Sequence, residues 1–532
     1  MKRRDLVGNM AALATGGFLI SSPSAKAEFI PPIEQVNVYD VRKYGAKADG
    51  KTNDAIAIQK AIDACAKSGG RVLFTNGTFL SSGLVLKSNV ELHVAATAVL
   101  MATRGLDKYN VDRKFAHGDG VRSFIYADSC HHIAITGSGR IDGQGQYFRA
   151  DITYSERPYL IQLRSCKDVR LQDVFLSNSA VWVCWLLQCE RVRVEGVHIE
   201  NLVSPNRDGI DIDGCREVHI SNCIINTEDD SLAFKVSEKG HPCRDITITN
   251  CIISSKCAAI RFGPDAVDNI ENVTISNCAI KNTKLNGIKI QESMGAMIKN
   301  ITFSNITMDN VRGPISIRLA GWKLKETDTA PFDIIDKDWE KGRLQNILFN
   351  NITGTTPQDN IAMSITGTTK TRPSGITFSN IDLTFTGGGT AIQGARRTVP
   401  DLDRDYPEMY MFGDLPAYAL YLHHVTGVTL NNVYFRLQAD DLRPAIVCDD
   451  VDDLELSGVK LAGTRAAESV IRLQNSRNVF INGSKTLNQT GTYLLVEGAE
   501  SSDILLSGNK LNLSSKIIES APDVPKDAVT TQ

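Results

Sequence analysis

The sequence lacks charge imbalance, long apolar runs and paired cysteine motifs. Over 532 residues the formal net charge is −3 and charged residues make up 22%. That balance excludes a basic nucleic-acid-coating protein and a disordered acidic chain. The 12 cysteines include no Cys-x-x-Cys pair, and they are too sparse for a disulfide scaffold or a zinc module. Helical periodicity is missing from almost the whole chain. What is present is 42% hydrophobic residues and 41 glycines among many Asn, Thr, Val and Ile, a composition of strands and turns with enough apolar surface for a large core.

The N-terminus differs from the rest. Lys2-Arg3-Arg4 precedes an apolar stretch from Leu6 to Ile20, followed by the small-residue site Ala25-Lys26-Ala27. This pattern predicts an export signal over residues 1–27, of a twin-arginine or general secretory kind, and a mature chain in the periplasm or outside the cell. Asn9 and three glycines interrupt the stretch, which falls short of the about 20 residues that span a membrane, and no later segment reaches that length. The competing reading is a frayed N-terminal helix.

An internal repeat organises the remainder of the chain. An apolar-polar-apolar triplet followed by a polar residue, Asn, and an apolar residue or Cys starts at Val218, Ile246, Val273, Ile301, Ile347, Ile376 and Val428. Weaker copies start at Ile133, Val169, Val192, Leu454, Val479 and Ile504. The short spacings lie near 27 residues, the length of a coil of three short strands and three turns. Such a coil buries its apolar side only by stacking on neighbours at the strand spacing of about 4.8 Å. The expected fold is therefore all-β, a parallel β-helix over residues 28–515, with 516–532 as a flexible tail. The repeated asparagines are expected to stack as amide ladders at a turn. Cys130, Cys166, Cys189, Cys215 and Cys243 share one register, and Cys223, Cys251 and Cys278 another, which predicts two buried files of reduced thiols. One helix is predicted, with Asn53 or Asp54 as N-cap, Ile58, Ala61, Ile62 and Cys65 on one face, and Gly69-Gly70 as its stop, plugging the N-terminal end.

Two acidic clusters lie one coil apart, Asn206-Arg207-Asp208-Gly209-Ile210-Asp211 and Glu228-Asp229-Asp230. Aligning the strands by apolar alternation sets Ile210 beside Leu232, Ile260 and Ile288, so Asp208 stacks on Asp230 with Asp229 adjacent. Three converging carboxylates repel one another and separate in pKa, as paired acid and base chemistry requires. A solvated acidic turn or a calcium site is the alternative reading. The same alternation turns Lys235, Arg261, Lys289 and Arg318 outward beside the carboxylates, and their mutual repulsion points to an anionic ligand such as a uronate.

These residues resemble the polygalacturonase-type glycoside hydrolases of family 28, right-handed parallel β-helix enzymes that cleave pectin with inversion. Asn206-Arg207-Asp208 is similar to the family's Asn-Thr-Asp motif and Asp229-Asp230 to its Asp-Asp pair. Tyr44-Gly45-Ala46, Arg157-Pro158, Trp182, Tyr406-Pro407-Glu408, Leu415-Pro416-Ala417-Tyr418 and Arg443-Pro444-Ala445 also look familiar from it. Two motifs depart. Cys257-Ala258-Ala259 stands where the family has Gly-His-Gly, and Lys289-Ile290-Gln291 where it has Arg-Ile-Lys.

The resemblance implies Asp229 as general acid, Asp208 and Asp230 holding and deprotonating water, and no metal or cofactor. The candidate substrate-binding residues are Asn206, Lys235, Arg261, Lys289, Gln291, Arg318 and Trp185. The expected partner is a pectic poly- or oligosaccharide, with exo-acting or rhamnogalacturonan-directed cleavage brought forward by the altered motifs; a nucleic acid or membrane partner is not expected, and a monomer is. Rival readings are a pectate-lyase-like elimination enzyme using bound calcium and a basic residue such as Arg261, and a non-catalytic carbohydrate-binding β-helix. Two insertions, Leu319 to Asn346 and Gly387 to Gly427, carry Trp322, Trp339, Arg396, Arg397 and Tyr410 and are expected to wall the cleft or to cover the solenoid.

Overall fold

All thirteen repeat triplets fall in one continuous ladder. Ile133 pairs with Val169, Val169 with Val192, and the register runs through Val218, Ile246, Val273, Ile301, Ile347, Ile376, Val428, Leu454 and Val479 to Ile504. The computed structural model describes residues 36–112, 121–148, 156–203, 206–323, 338–359 and 361–532. Residues 37–532 form one unit, and the expected export signal lies outside the described residues. Among these residues every strand pairing is parallel except that of Asn110–Asp112 with Val121–Asp128. No described helix is long and apolar enough to cross a membrane.

The physical reason for the register is the core. Phe234 stacks on Phe262 at 4.2 Å between ring centroids, and Phe303, Phe349 and Phe378 continue at 5.0 and 4.9 Å. Each buried aliphatic or aromatic side chain contributes about 1.5–3 kcal/mol, and a slip of one residue would turn every one of them outward. Nearly all of the thiols are buried, with Cys130 and Cys257 partly exposed, and all twelve are free. The repeated asparagines, Asn222, Asn250, Asn277, Asn305, Asn351, Asn380 and Asn432, all adopt left-handed backbone with φ between 54° and 58°. Their side chains form broken rather than continuous ladders. Asn305 donates to Asn277 and Asn351 to Asn305, whereas Asn380 donates to Asn350. A second file of Asn272, Asn300 and Asn346 lies one turn earlier.

Helix α1 (Ala55–Cys65) buries Ile58, Ala61, Ile62 and Cys65 as expected. Its start is held by Asn53, which accepts from the Ala55 amide, while Asp54 turns back to accept from Lys47 and Ala48. The tail reading is corrected at the other end. Ser514–Ser520 and Val529–Thr531 pair with Thr490–Glu497 and Ser502–Ser507 as a last coil. Among the described residues nothing stacks beyond it, so its side chains stay mostly exposed and its sequence carries little apolar alternation.

Candidate active site

Five successive coils present one strand each: Ile210–Asp213, Leu232–Val236, Ala258–Ala266, Asn286–Glu292 and Gly313–Leu319. Ile210, Leu232, Ile260, Ile288 and Ile315 form the inward file. Period-2 alternation then sets Asp211, Ala233, Arg261, Lys289 and Ser316 in one outward file, and Gln291 beside Arg318 in the next. Just before these strands the Gly209 amide donates to the Asp230 carbonyl at 2.9 Å, which holds Asp208 one coil from Asp230. Thr227 and Ser255 hydroxyls both donate to the Asp229 carbonyl at 2.6 Å and fix the Asp229-Asp230 turn.

The carboxyls titrate in opposite directions. Burial, then the charge of Asp230, pushes Asp229 above its ordinary range. Burial also opposes ionisation of Asp230, but Arg261 at 2.7 Å and Lys289 outweigh it and hold this carboxyl below the usual value. Asp208 is raised well above normal by burial and by Asp211, against the pull of Lys235, whose Nζ lies 3.3 Å away. Asp211 is raised to about 7 by burial, with the same Lys235 at 2.9 Å opposing it. The surroundings thus favour the protonated form of Asp229 and the ionised form of Asp230, the separation that acid–base cleavage uses.

The profile of glycosyl hydrolases family 28 matches residues 79–399. The chain belongs to this family. It is 28% identical over 338 residues to a probable polygalacturonase of Arabidopsis thaliana, covering 62% of this chain and 70% of that one. It is 27% identical over 367 residues to an endo-polygalacturonase of Pectobacterium carotovorum subsp. carotovorum, covering 64% and 86%. The solved family 28 exopolygalacturonase of Yersinia enterocolitica shares the fold with a TM-score of 0.62 at 21% identity, over 80% of this chain and 79% of that one. The chain is accordingly a polygalacturonase-like glycoside hydrolase.

In this family 28 chain the predicted cations do not stand unpaired. Lys235 bridges Asp208 and Asp211 and lies 3.4 Å from the Trp182 ring centre. Arg261 binds Asp230, Gln291 and the Tyr406 hydroxyl. Lys289 is fully buried against Glu408, Gln291 donates to the Pro407 carbonyl, and Arg318 donates to the carbonyls of Gly367, Asp401 and Leu402. The inference from mutual repulsion to a bound anion therefore loses its support at Lys235, Arg261 and Lys289, where the chain supplies carboxylates itself, whereas Arg318 meets main-chain carbonyls.

Trp185 lies in the same outward file, one coil before Asp211; its side chain is wholly buried with Tyr159 and Trp182, and its Nε1 donates to Asp213. Asn206 is exposed at the rim and accepts from Arg157 at 2.9 Å.

Sequence reasoning missed Tyr406 and Glu408 as parts of the site, although it singled out their tripeptide. No period links them to residues 116 to 145 positions earlier. Asp211, by contrast, was legible from the alternation that found Arg261 and Lys289. Where the family histidine is absent, Cys257 comes close to Asp229 and Asp230. Burial keeps its thiol protonated.

Proposed function

We propose that this chain is an exported, monomeric hydrolase that cleaves a pectic oligo- or polysaccharide with inversion at the anomeric carbon. Asp229 protonates the leaving glycosidic oxygen, Asp230 takes the proton of the attacking water, and Asp208, clamped by Lys235, orients that water. What supports these roles is the split between Asp229 and Asp230: burial and its neighbour's charge shift the first toward its protonated form, while Arg261 and Lys289 shift the second toward its ionised form. An acid must hold its proton at working pH and a base must not. Pectic sugar as the substrate class comes from the polygalacturonases the chain resembles.

The engagement of Arg261, Lys289 and Gln291 by residues 406–408 favours a finer reading. The sugar seated over these side chains is one without a free carboxylate, such as rhamnose, because Glu408 already provides the carboxylate that a uronate would offer to Lys289. Exposed Tyr410, with Tyr406 packed edge-on to Trp322, offers aromatic surface for such a ring. Arg261, engaged with Asp230 and Tyr406, is not free to abstract a proton, which disfavours the elimination rival. Proton NMR of the first product formed from defined pectic oligosaccharides tests the proposal. A saturated reducing end of inverted configuration is expected, and a retained anomer or an ultraviolet-absorbing unsaturated sugar would sink it. Comparing native with carboxyl-reduced substrates tests the finer reading, which expects cleavage to survive reduction.

A further inference from the structure

Five coils beyond Asp230, a second polar cluster has no part in this chemistry. His423 and His424 lie side by side on the strand Leu420–Leu437, with ring centroids 4.0 Å apart. Consecutive strand residues normally point to opposite faces. Here the strand turns at His424, whose φ is 52°, and the matching positions Gln188, Asp450 and Asn475 are left-handed as well, so the convergence comes from the coil's own turn. One coil on, the ladder sets Asp449 beside His423 and Asp450 beside His424. His424 Nδ1 lies 2.6 Å from Asp450 and His423 Nδ1 3.2 Å from Asp449. The two Nε2 atoms face the same oxygen, Asp401 Oδ1, at 3.0 and 3.1 Å. Asp401 belongs to the 387–427 insertion, and Arg318 fixes it by donating to its main-chain carbonyl.

An imidazole that donates its Nδ1 proton to a carboxylate presents a bare lone pair at Nε2. His424, hydrogen-bonded to Asp450 through Nδ1, so aims a lone pair at the Asp401 oxygen, while the buried His423 Nδ1, 3.2 Å from Asp449, makes no hydrogen bond. The contact of His424 with Asp401 becomes attractive if that ring carries a second proton, or if a metal ion sits among the three atoms. Charge favours the metal. Asp450 is paired with Arg372 and Arg477, whereas neither Asp401 nor Asp449 has a lysine or arginine within ion-pair distance among the described residues. Two neutral imidazoles with two such carboxylates leave a deficit of two positive charges. The distances agree as well, since ligand atoms about 2.0–2.2 Å from a tetrahedral zinc ion lie about 3.3–3.6 Å from one another, near the 3.0 and 3.1 Å between Asp401 and the two ring nitrogens. Carboxylates behind the far ring nitrogens are the usual support of metal-binding histidines.

We propose that Asp401, His423 and His424 bind one divalent transition-metal ion of the zinc type, with Asp449 and Asp450 orienting the rings. The ion staples the 387–427 insertion to the β-helix five residues before Tyr406, and so fixes the segment that covers Arg261 and Lys289. Two nitrogen donors select zinc over calcium or magnesium. The site does not depend on the substrate or on the roles of Asp208, Asp229 and Asp230.

The test uses the full chain without a histidine tag, stripped with EDTA and titrated with zinc chloride by calorimetry. One zinc ion per chain is expected, and Asp401→Asn and His424→Gln should each weaken binding at least about tenfold. Zinc should raise the melting temperature of the wild type and slow proteolytic cleavage between residues 387 and 419, a readout that needs no variant; calcium should do neither. A folded wild type that takes up no zinc, or variants that bind it as the wild type does, would overturn the proposal and leave the cluster a pair of protonated histidines, or the zinc on the thiols.

Discussion

The stacked coils and the 387–427 insertion hold the same site by different means. In the coils each residue repeats a neighbour's role: Ile260 does what Leu232 and Ile288 do, and removing one leaves the pattern intact. In the insertion each contact is made once. Glu408 meets Lys289, Pro407 meets Gln291, Tyr406 meets Arg261, and Arg396 and Arg397 tie the loop to its own carbonyls and to Glu468 and Glu497. Repetition builds a stiff platform for the carboxylates, and the unrepeated contacts decide what can approach it. Chemistry should therefore fail when the coils' carboxylates change, and selectivity should change when the insertion does.

The sharpest break is Asp229→Asn. It removes the proton donor while keeping the shape, so kcat should fall by about 10²- to 10⁴-fold, with the circular dichroism and melting temperature unchanged. Wild-type turnover by this variant would take the chemistry out of the coils altogether.

A pH effect on stability probes the joint between the coils and the first insertion. Glu292, at the end of its strand, is fully buried; its Oε1 accepts from Met294 and Ala296, and burial raises its carboxyl to about 8 from the ordinary 4.5. Because the folded chain binds the proton more tightly than the unfolded chain, the stability it contributes is full below about pH 4.5 and declines as pH rises. The loss is about 1.4 kcal/mol per pH unit and levels off above about 8. Glu292→Gln should flatten the denaturation midpoint across that window, as urea titrations at pH 5, 6.5 and 8 would show. An unchanged slope would mean that Glu292 is not the group that takes up the proton.

In the insertion the informative change is Glu408→Gln. It leaves the loop's shape but removes the charge seated on Lys289, so a uronate could compete for that ammonium. The ratio of kcat/KM on native to carboxyl-reduced oligosaccharide should rise about three- to tenfold, with kcat on the preferred substrate changing less. If the ratio does not move, residues 406–408 are a structural cover and the contrast between platform and selector collapses.

How much of the molecule is legible in its sequence follows the same division. Asp208, Asp229, Asp230, Arg261 and Lys289 were placed correctly because alternation and a 27-residue period fix both coil and face, and the thiol files followed from the same register. Trp185 falls in the outward file that the alternation gives it, but its burial with Tyr159 and Trp182 and its bond to Asp213 were not legible, because packing among side chains on one face leaves no mark in the period. The paired state of the cations was illegible for another reason. Their partners include Glu408 and the carbonyls of Asp401 and Leu402, and a loop with no period offers no register in which to seek them.

The smallest effect tests whether the asparagine files are conformational or cohesive. Asn305 has φ 54°, donates to Asn277 at 3.0 Å and accepts from Asn351 at 2.8 Å, all on the exposed surface. A non-glycine residue in the left-handed region costs about 1–2 kcal/mol, which asparagine eases by local hydrogen bonding and glycine avoids. Each exposed amide bond adds a net of about 0.5–1 kcal/mol at most. Asn305→Ala should therefore lose about 2 kcal/mol in urea unfolding, and Asn305→Gly about half of that, through the missing amide contacts and the greater freedom of its unfolded chain. Equal losses for Ala and Gly would assign the effect to the ladder alone. A Gly variant as stable as the wild type would mean that these asparagines recur because each coil must turn with positive φ, and that their stacking follows from the turn without holding the coils together.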